Sequence, residues 1–472
     1  MKFYKNTKPE GSYLPCVVLV SSDWDDYSYK TSHNLYYYNS NDQELDIGLT
    51  KILENGSSIS NIPNEFEQLG DKFFSLGQEI EFYEKLKELS ANDYEQILTA
   101  LNDVVFNEDL RYIAQSLEGF ETSLLRNSQA RKTLIDGPYI FSDSNEIKPN
   151  NLYNFTFETR VEGAKDFHNI NFDFLNDDIP FRINALIGKN GTGKTYLLAN
   201  LANSLGGISK RESKFYPDTP VFSRVIAISY SYFDNFRKPK SNRFYSYRYC
   251  GLRNKTGLMT LRQMERRFEE SINYIKQNYP ERIIEWKNIL SKMIDVDLLN
   301  YIEKSPMYLT ELSSGQNMIL TTITDLLANI KEESLLLFDE PELFLHPNAI
   351  SNYTYMLYQI LETYNSYAIV STHSPIIIQS VPSKRVHVLD RVGDYPIVKK
   401  LGIESFGADY TQITEEIFGT INTNNVYYEN FKTLVNRGYN YNYILEKIFN
   451  NKLSFNAKIY LKTLLEEINK KD

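Results

Sequence analysis

The sequence predicts an α/β protein preceded by an acidic α+β segment and followed by a short helical tail. Three observations carry that reading. Short, nearly continuous apolar runs recur at Ile183–Ile187, Val225–Ile228, Leu335–Phe338 and Ala368–Val370, a pattern suited to parallel strands buried on both faces. Helical spacing fills the intervals between them. The charge is also uneven: the 472 residues hold 51 basic and 61 acidic side chains, a net of −10, and residues 1–150 alone hold 25 acids against 13 bases. The chain as a whole is therefore no polycation, and any contact with nucleic acid must come from a local basic patch.

Residues 1–145 read as one domain. Strands are expected at Cys16–Ser21 and Asn34–Tyr38, with Trp24-Asp25-Asp26-Tyr27 between them. Apolar residues from Phe66 to Val105 follow helix-compatible spacings, among them Phe73, Phe74, Ile80 and Leu86. Asp136-Gly137-Pro138 and Lys148-Pro149 read as breaks marking the domain's exit. Residues 146–420 form the α/β domain, opening with alternating strands at Tyr153–Val161 and Ile170–Phe174 and carrying a helical lid over about 232–310. Residues 421–472 read as helical hairpins. Apolar residues at 42% and charged residues at 24% exclude wholesale disorder. Two cysteines, Cys16 and Cys250, build neither a disulfide framework nor a four-cysteine zinc site. No apolar run reaches the ~18 residues of a membrane span, so a cytoplasmic protein without a membrane partner is expected.

Gly188-Lys189-Asn190-Gly191-Thr192-Gly193-Lys194-Thr195 matches the phosphate-binding pattern G-x-x-x-x-G-K-[ST], followed by Tyr196. A strand-like run leads in and a helical pattern leads out, the context this motif needs. Its glycines let backbone amides wrap phosphate oxygens. Lys194 is placed to reach β- and γ-phosphates, and the Thr195 hydroxyl to hold Mg²⁺. Downstream, the run Leu335–Phe338 ends in Asp339-Glu340. A buried strand delivers both carboxylates to the sheet's carboxyl edge, where α/β ligands bind. Asp339 suits a Mg²⁺ ligand and Glu340 a general base. Alone, such a pair is an ordinary strand end. Ser313-Ser314-Gly315-Gln316 opens another helical pattern; its serine is an N-cap in the plain reading and a phosphate donor in the functional one. His373, in Ser371-Thr372-His373-Ser374-Pro375, follows a further strand.

These four elements, in this order, resemble the ABC-type ATPases of the AAA family. Lys194 and Ser313 are separated by 119 positions, Ser313 and Asp339 by 26, and Glu340 and His373 by 33. Asp339-Glu340-Pro341-Glu342-Leu343-Phe344-Leu345-His346-Pro347 and Thr372-His373-Ser374-Pro375 are similar to the soluble prokaryotic branch. That branch includes the overcoming-lysogenisation-defect (OLD) ATPases and the ATPase subunits of Septu, PARIS and retron antiphage systems. The resemblance covers roughly residues 151–420. It implies a head-to-tail dimer with two ATP molecules between subunits, each Lys194 loop facing the partner's signature turn, and His373 contacting the γ-phosphate. It implies ATP and Mg²⁺ as cofactors and a separate effector such as a nuclease or toxin. Two departures stand out: Ser314 replaces the usual signature glycine, and no glutamine follows Val225–Ser229, where Ser231, Asp234 or Asn235 are the substitutes at hand.

From Arg237 to Arg267 ten basic residues face one acid, Glu265, with Phe244, Tyr245, Tyr247 and Tyr249 interleaved. Basic groups neutralise phosphates and aromatics stack on bases, so Arg243, Arg248 and Arg253 are candidates for nucleic-acid contact; the plain alternative is a solvated lid. Three functions remain open at this point: an ATPase controlling an effector, a DNA-repair ATPase acting on DNA itself, and a scaffold that binds ATP without turnover.

Overall fold

The computed structural model describes all residues except 23–28, 142–152, 177–178, 208–212, 232–233, 239–246, 255–256, 420–425 and 470–472. Trp24-Asp25-Asp26, Arg243, Phe244, Tyr245 and the expected boundaries near 145 and 420 lie outside the described residues. The chain forms two compact units, Met1–Ile413 and Thr414–Asp472.

The first unit opens with six strands: β1 (Lys2–Lys5), β2 (Cys16–Ser21), β3 (Ser32–Tyr38), β4 (Glu44–Glu54), β5 (Glu65–Phe66) and β6 (Phe73–Gly77), ordered β5-β1-β2-β3-β4-β6. Helices α1 (Ile80–Lys87), α2 (Ala91–Ala100), α3 (Glu108–Ala114) and α4 (Ser128–Phe141) follow. Phe3, Leu19, Leu35, Phe74, Tyr83, Ile97 and Leu101 are buried in one apolar cluster. The helical expectation for Phe66–Val105 is corrected over its first part: Phe73 and Phe74 belong to β6, every residue of which is buried. A strand covered on both faces shows no alternation, so its apolar spacing is indistinguishable from a helix face. Asp136-Gly137-Pro138 is likewise no break but lies inside α4. A Cβ on Gly137 would stand 2.4 Å from Val105 Cγ1, so the glycine lets this helix pack closely.

Next come β7 (Phe155–Thr159), β8 (His168–Phe172), β9 (Ile183–Gly188), α5 (Lys194–Leu205), β10 (Ser213–Tyr216), β11 (Val225–Ser229), β12 (Tyr247–Tyr249), β13 (Arg253–Asn254) and β14 (Gly257–Leu258). Helices α6 (Leu261–Asn278), α7 (Arg282–Leu290), α8 (Val296–Lys304) and α9 (Ser314–Asn329) precede β15 (Leu335–Asp339), α10 (Pro347–Thr363), β16 (Tyr367–Thr372), α11 (Pro375–Ile378), β17 (Val386–Val392) and β18 (Tyr395–Lys400). The main sheet is ordered β12-β11-β15-β16-β9-β17-β18, parallel except for β18. β10, β7 and β8 form a separate antiparallel sheet. The fold is thus mixed α/β, a P-loop ATPase domain with helices. The two large sheets share the first unit through ion pairs: Lys331 with Glu79 at 3.0 Å and Glu81 at 2.7 Å, and Lys132 with Glu333.

In the second unit, α13 (Val426–Asn436), a π-helical turn at Tyr443–Ile448 and α14 (Phe455–Asn469) enclose Phe431, Val435, Ile444, Leu461 and Leu464. Helix α12 (Tyr410–Phe418) spans the division between the units.

Candidate functional site

Parallel pairing brings the strand ends to one edge. In register, Asp339 of β15 lies between Ser229 of β11 and Ser371 of β16. β16 in turn lies between β15 and β9, which runs into the phosphate loop. The lateral alignment has a direct chemical result. Ser371 Oγ donates to Asp339 Oδ1 at 3.0 Å, Ser229 Oγ to Oδ2 at 3.4 Å, and Thr195 Oγ1 to Oδ1 at 3.0 Å. Asp339 is fully buried, and burial pushes its carboxyl up to about 6 despite the Thr195 and Ser371 donors. Thr195 and Asp339 present hard oxygen ligands side by side, the donor set Mg²⁺ takes from protein when phosphates supply the rest. Ser229 and Ser371 went unassigned in the sequence; only strand register reveals them.

The loop itself demands its glycines. A Cβ at Gly188 would lie 2.0 Å from the Leu389 carbonyl oxygen of the neighbouring strand β17, and Gly193 starts α5 at φ +94°. Lys194 is buried, and its ammonium donates to the carbonyls of Gly188 at 3.0 Å and Lys189 at 3.3 Å. Burial lowers its pKa to about 8, against the pull of Glu340 and Asp339. Lys189, Asn190, Gly191 and Tyr196 are exposed, and the Thr192 hydroxyl closes the loop on Lys189's carbonyl at 2.9 Å. Arg391 at the end of β17 donates to the Gly191 carbonyl at 3.3 Å, a contact no motif announced.

Glu340 follows β15 with φ +49°, its amide held by the Ser371 carbonyl at 2.8 Å. His373 Nε2 stands 3.4 Å from Glu340 Oε1, and the hydrogen bond from His373 holds the Glu340 carboxyl below the usual range. A carboxylate kept ionised beside a phosphate-binding lysine has the chemistry of a general base.

The signature turn is built differently. Ser313 caps α9: its Oγ accepts from the Gln316 amide at 3.3 Å, while Gln316 Oε1 accepts from the Ser313 amide at 3.1 Å. Gln316 Nε2 continues to the Met293 carbonyl at 3.0 Å. Ser313 and Ser314 are exposed, and Gly315 packs under the Phe344 carbonyl. With Phe344, Leu345 and His346 these residues line a groove of about 660 Å³. His346 is the N-cap of α10, accepting from the Asn348 amide at 3.4 Å, with Pro347 in the first turn.

Of the substitutes for the missing glutamine, Asp234 and Ser231 are engaged within the chain. Asp234 is buried, accepts from Tyr249 Oη at 2.5 Å and stands 3.8 Å from the Arg253 guanidinium. Ser231 uses its amide on Ser229 Oγ at 3.2 Å, and Asn235 is exposed. The same contacts revise the basic patch. Tyr247 and Tyr249 point into the core from β12 and present no ring for stacking. Arg253 is tied to Asp234, whereas Arg248 is half-exposed and reaches Asp325 only at 4.0 Å. An inward-outward alternation, Tyr247-Arg248-Tyr249, had read as an aromatic-basic surface because the lid was expected to be helical throughout.

Residues 217–379 match the family described as "AAA domain, putative AbiEii toxin, Type IV TA system". Protein ea59 of Escherichia phage lambda is 27% identical, the alignment covering 96% of this chain and 97% of that protein. Among solved structures, cbiO1 from Clostridium perfringens, part of the ABC transporter complex cbiONQ, is 15% identical over 60% of this chain and 94% of its own, with a TM-score of 0.29. The SMC head domain from Thermotoga maritima is 13% identical over 53% and 98%, also with a TM-score of 0.29. Superpositions at that level do not bear on function. No described helix is long and apolar enough to cross a membrane. Strand order and phosphate loop make the α/β part of the first unit a P-loop ATPase fold, and residues 217–379 within it are similar to an AAA-domain family.

Proposed function

We propose that this chain is a Mg²⁺-dependent ATPase whose copies close in pairs around ATP, and that its nucleotide state controls a separate nuclease or toxin in defence against phage. The observation that carries the reading is the meeting of Lys194, Thr195 with Asp339, and Glu340 with His373 at one sheet edge. Lys194 holds a costly buried charge on two backbone carbonyls, and phosphate oxygens are the better partners for it. Thr195 and Asp339 are the residues that would hold Mg²⁺, which would supply charge neutralisation for the phosphates. Glu340 takes the proton of the attacking water, and His373 orients the Glu340 carboxylate through Nε2. Ser313 and Ser314, exposed at the amino end of the 16-residue helix α9, offer hydroxyls and first-turn amides to the phosphate held by a second copy.

The defence role draws support from the family description, which names a toxin of a type IV system, and from the relative carried by a phage. The acidic N-terminal segment, residues 1–145, is the docking surface we assign to the effector. Arg248 and the other lid arginines give a nucleic-acid contact a narrower basis than the sequence did. Two experiments test the reading. The purified chain releases phosphate from ATP with Mg²⁺ and leaves DNA and RNA intact. Co-expressed with the product of its neighbouring gene, it elutes as a complex. Metal-dependent nucleic-acid cleavage by the lone chain, lost on Asp25→Ala with Asp26→Ala, contradicts the separate effector.

A further inference from the structure

Glu342 takes no part in the chemistry just described, yet it is firmly anchored. It lies two residues beyond Glu340 on the loop leaving β15. Its Oε1 accepts from Thr372 Oγ1 at 2.8 Å and from the backbone amide of His373 at 2.6 Å. The Thr372 hydroxyl in turn accepts from the Ser374 amide at 2.9 Å. With the bond from the Glu340 amide to the Ser371 carbonyl, three hydrogen bonds fasten the segment after β15 to the end of β16 and its first following residue. Glu342 Oε2 is buried and has no hydrogen-bond partner among the described residues. Burial raises the pKa of this carboxyl, with Glu340 adding to the rise, so the group is retained at a cost to the fold.

We propose that Glu342 is a positioning residue for His373: it pins the His373 backbone so that the imidazole stays in reach of Glu340. The inference rests on reading Glu340 and His373 as the working pair. The pair stands at 3.4 Å, at the far end of hydrogen-bond range, so a small rotation of residues 372–373 breaks it. A displacement of about 1 Å in a reacting group costs on the order of a hundredfold in rate. What the position requires is an acceptor oxygen. Glutamine supplies one in the same place, and alanine supplies none.

The full-length chain is assayed as the Glu342→Ala, Glu342→Gln, His373→Ala and Glu342→Ala/His373→Ala variants, with Lys194→Ala as control. Glu342→Ala is expected to lower kcat by about tenfold to a hundredfold with the ATP dissociation constant within about twofold. Glu342→Gln recovers most of that loss, and the double variant is no slower than His373→Ala, because the two changes act through one group. Histidine-selective NMR gives a readout independent of turnover. Of five histidine signals, the one absent from His373→Ala moves in Glu342→Ala and returns toward its place in Glu342→Gln. Glutamine as slow as alanine, a double variant slower by the full product, or an unmoved His373 signal overturns the inference. Should Lys194→Ala turn over ATP like the parent, the ATPase reading fails instead; a Glu342→Ala chain that melts early leaves the decision to Glu342→Gln and the His373 signal.

Discussion

The phosphate-loop edge and the signature turn carry motifs of the same proposed reaction, but their surroundings differ. At the loop edge the polar groups hold one another: Thr195, Ser229 and Ser371 on Asp339, His373 on Glu340, Thr372 and the His373 amide on Glu342. Lys194, Ser229, Asp339, Ser371 and Thr372 are buried, and Lys194 and Asp339 are both pushed toward neutrality by burial. At the signature turn, Ser313 and Gln316 satisfy their own helix end, and Gln316 reaches the Met293 carbonyl, beside an open groove. One region is pre-organised and electrostatically stressed, which a phosphate and a cation would relieve under the proposed function. The other is a finished N-cap whose further use requires a second molecule.

If the stress at the loop edge is the binding energy in waiting, Lys194→Ala gives the largest effect: nucleotide affinity falls by about a hundredfold or more in calorimetry, because the phosphates lose their principal cation. Asp339→Asn separates stress from function. Turnover with Mg²⁺ collapses, yet the nucleotide-free chain becomes more stable at pH 7, by up to about 3 kcal/mol. The sign follows from the shift. A carboxyl at about 6 rather than 3.8 keeps its proton more tightly when folded, so the parent regains this stability as pH falls from about 6 toward 4. The difference in melting temperature between parent and variant therefore shrinks over that window; a constant difference means that Asp339 is not under strain. Ser313→Ala gives the smallest change in the fold, about 1 kcal/mol for a lost cap. Its turnover is expected to drop by far more than that loss explains, and an unchanged rate reduces the signature turn to a helix start.

These differences were unevenly visible in the sequence. β9, β11, β15 and β16 emerged within a residue or two because strands covered on both faces read as apolar runs. The residues that gather at their ends were found through motifs with fixed spacing. Ser229 and Ser371 were not, since a serine at a strand end is unremarkable until lateral register puts it beside Asp339. Glu342 was quoted inside a motif without a task, because its partners lie thirty residues downstream. β6 reads as helix in the sequence because full burial erases its alternation. Tyr247 and Tyr249 read as surface rings because nothing local shows that β12 joins the main sheet.

The mass of the Glu340→Gln chain, measured by light scattering with and without ATP and Mg²⁺, tests the central claim most directly. Removing the base while leaving Lys194, Thr195 and Asp339 in place keeps ATP bound and unhydrolysed, so the pre-organised edge of one copy stays closed on the signature turn of another. The expected result is a shift to twice the 55.1 kDa chain mass, or a doubling of whatever assembly exists without nucleotide, on adding ATP, and none when Lys194→Ala is added to the same chain. A mass indifferent to ATP, in a chain that calorimetry shows to bind it, contradicts closure around the nucleotide.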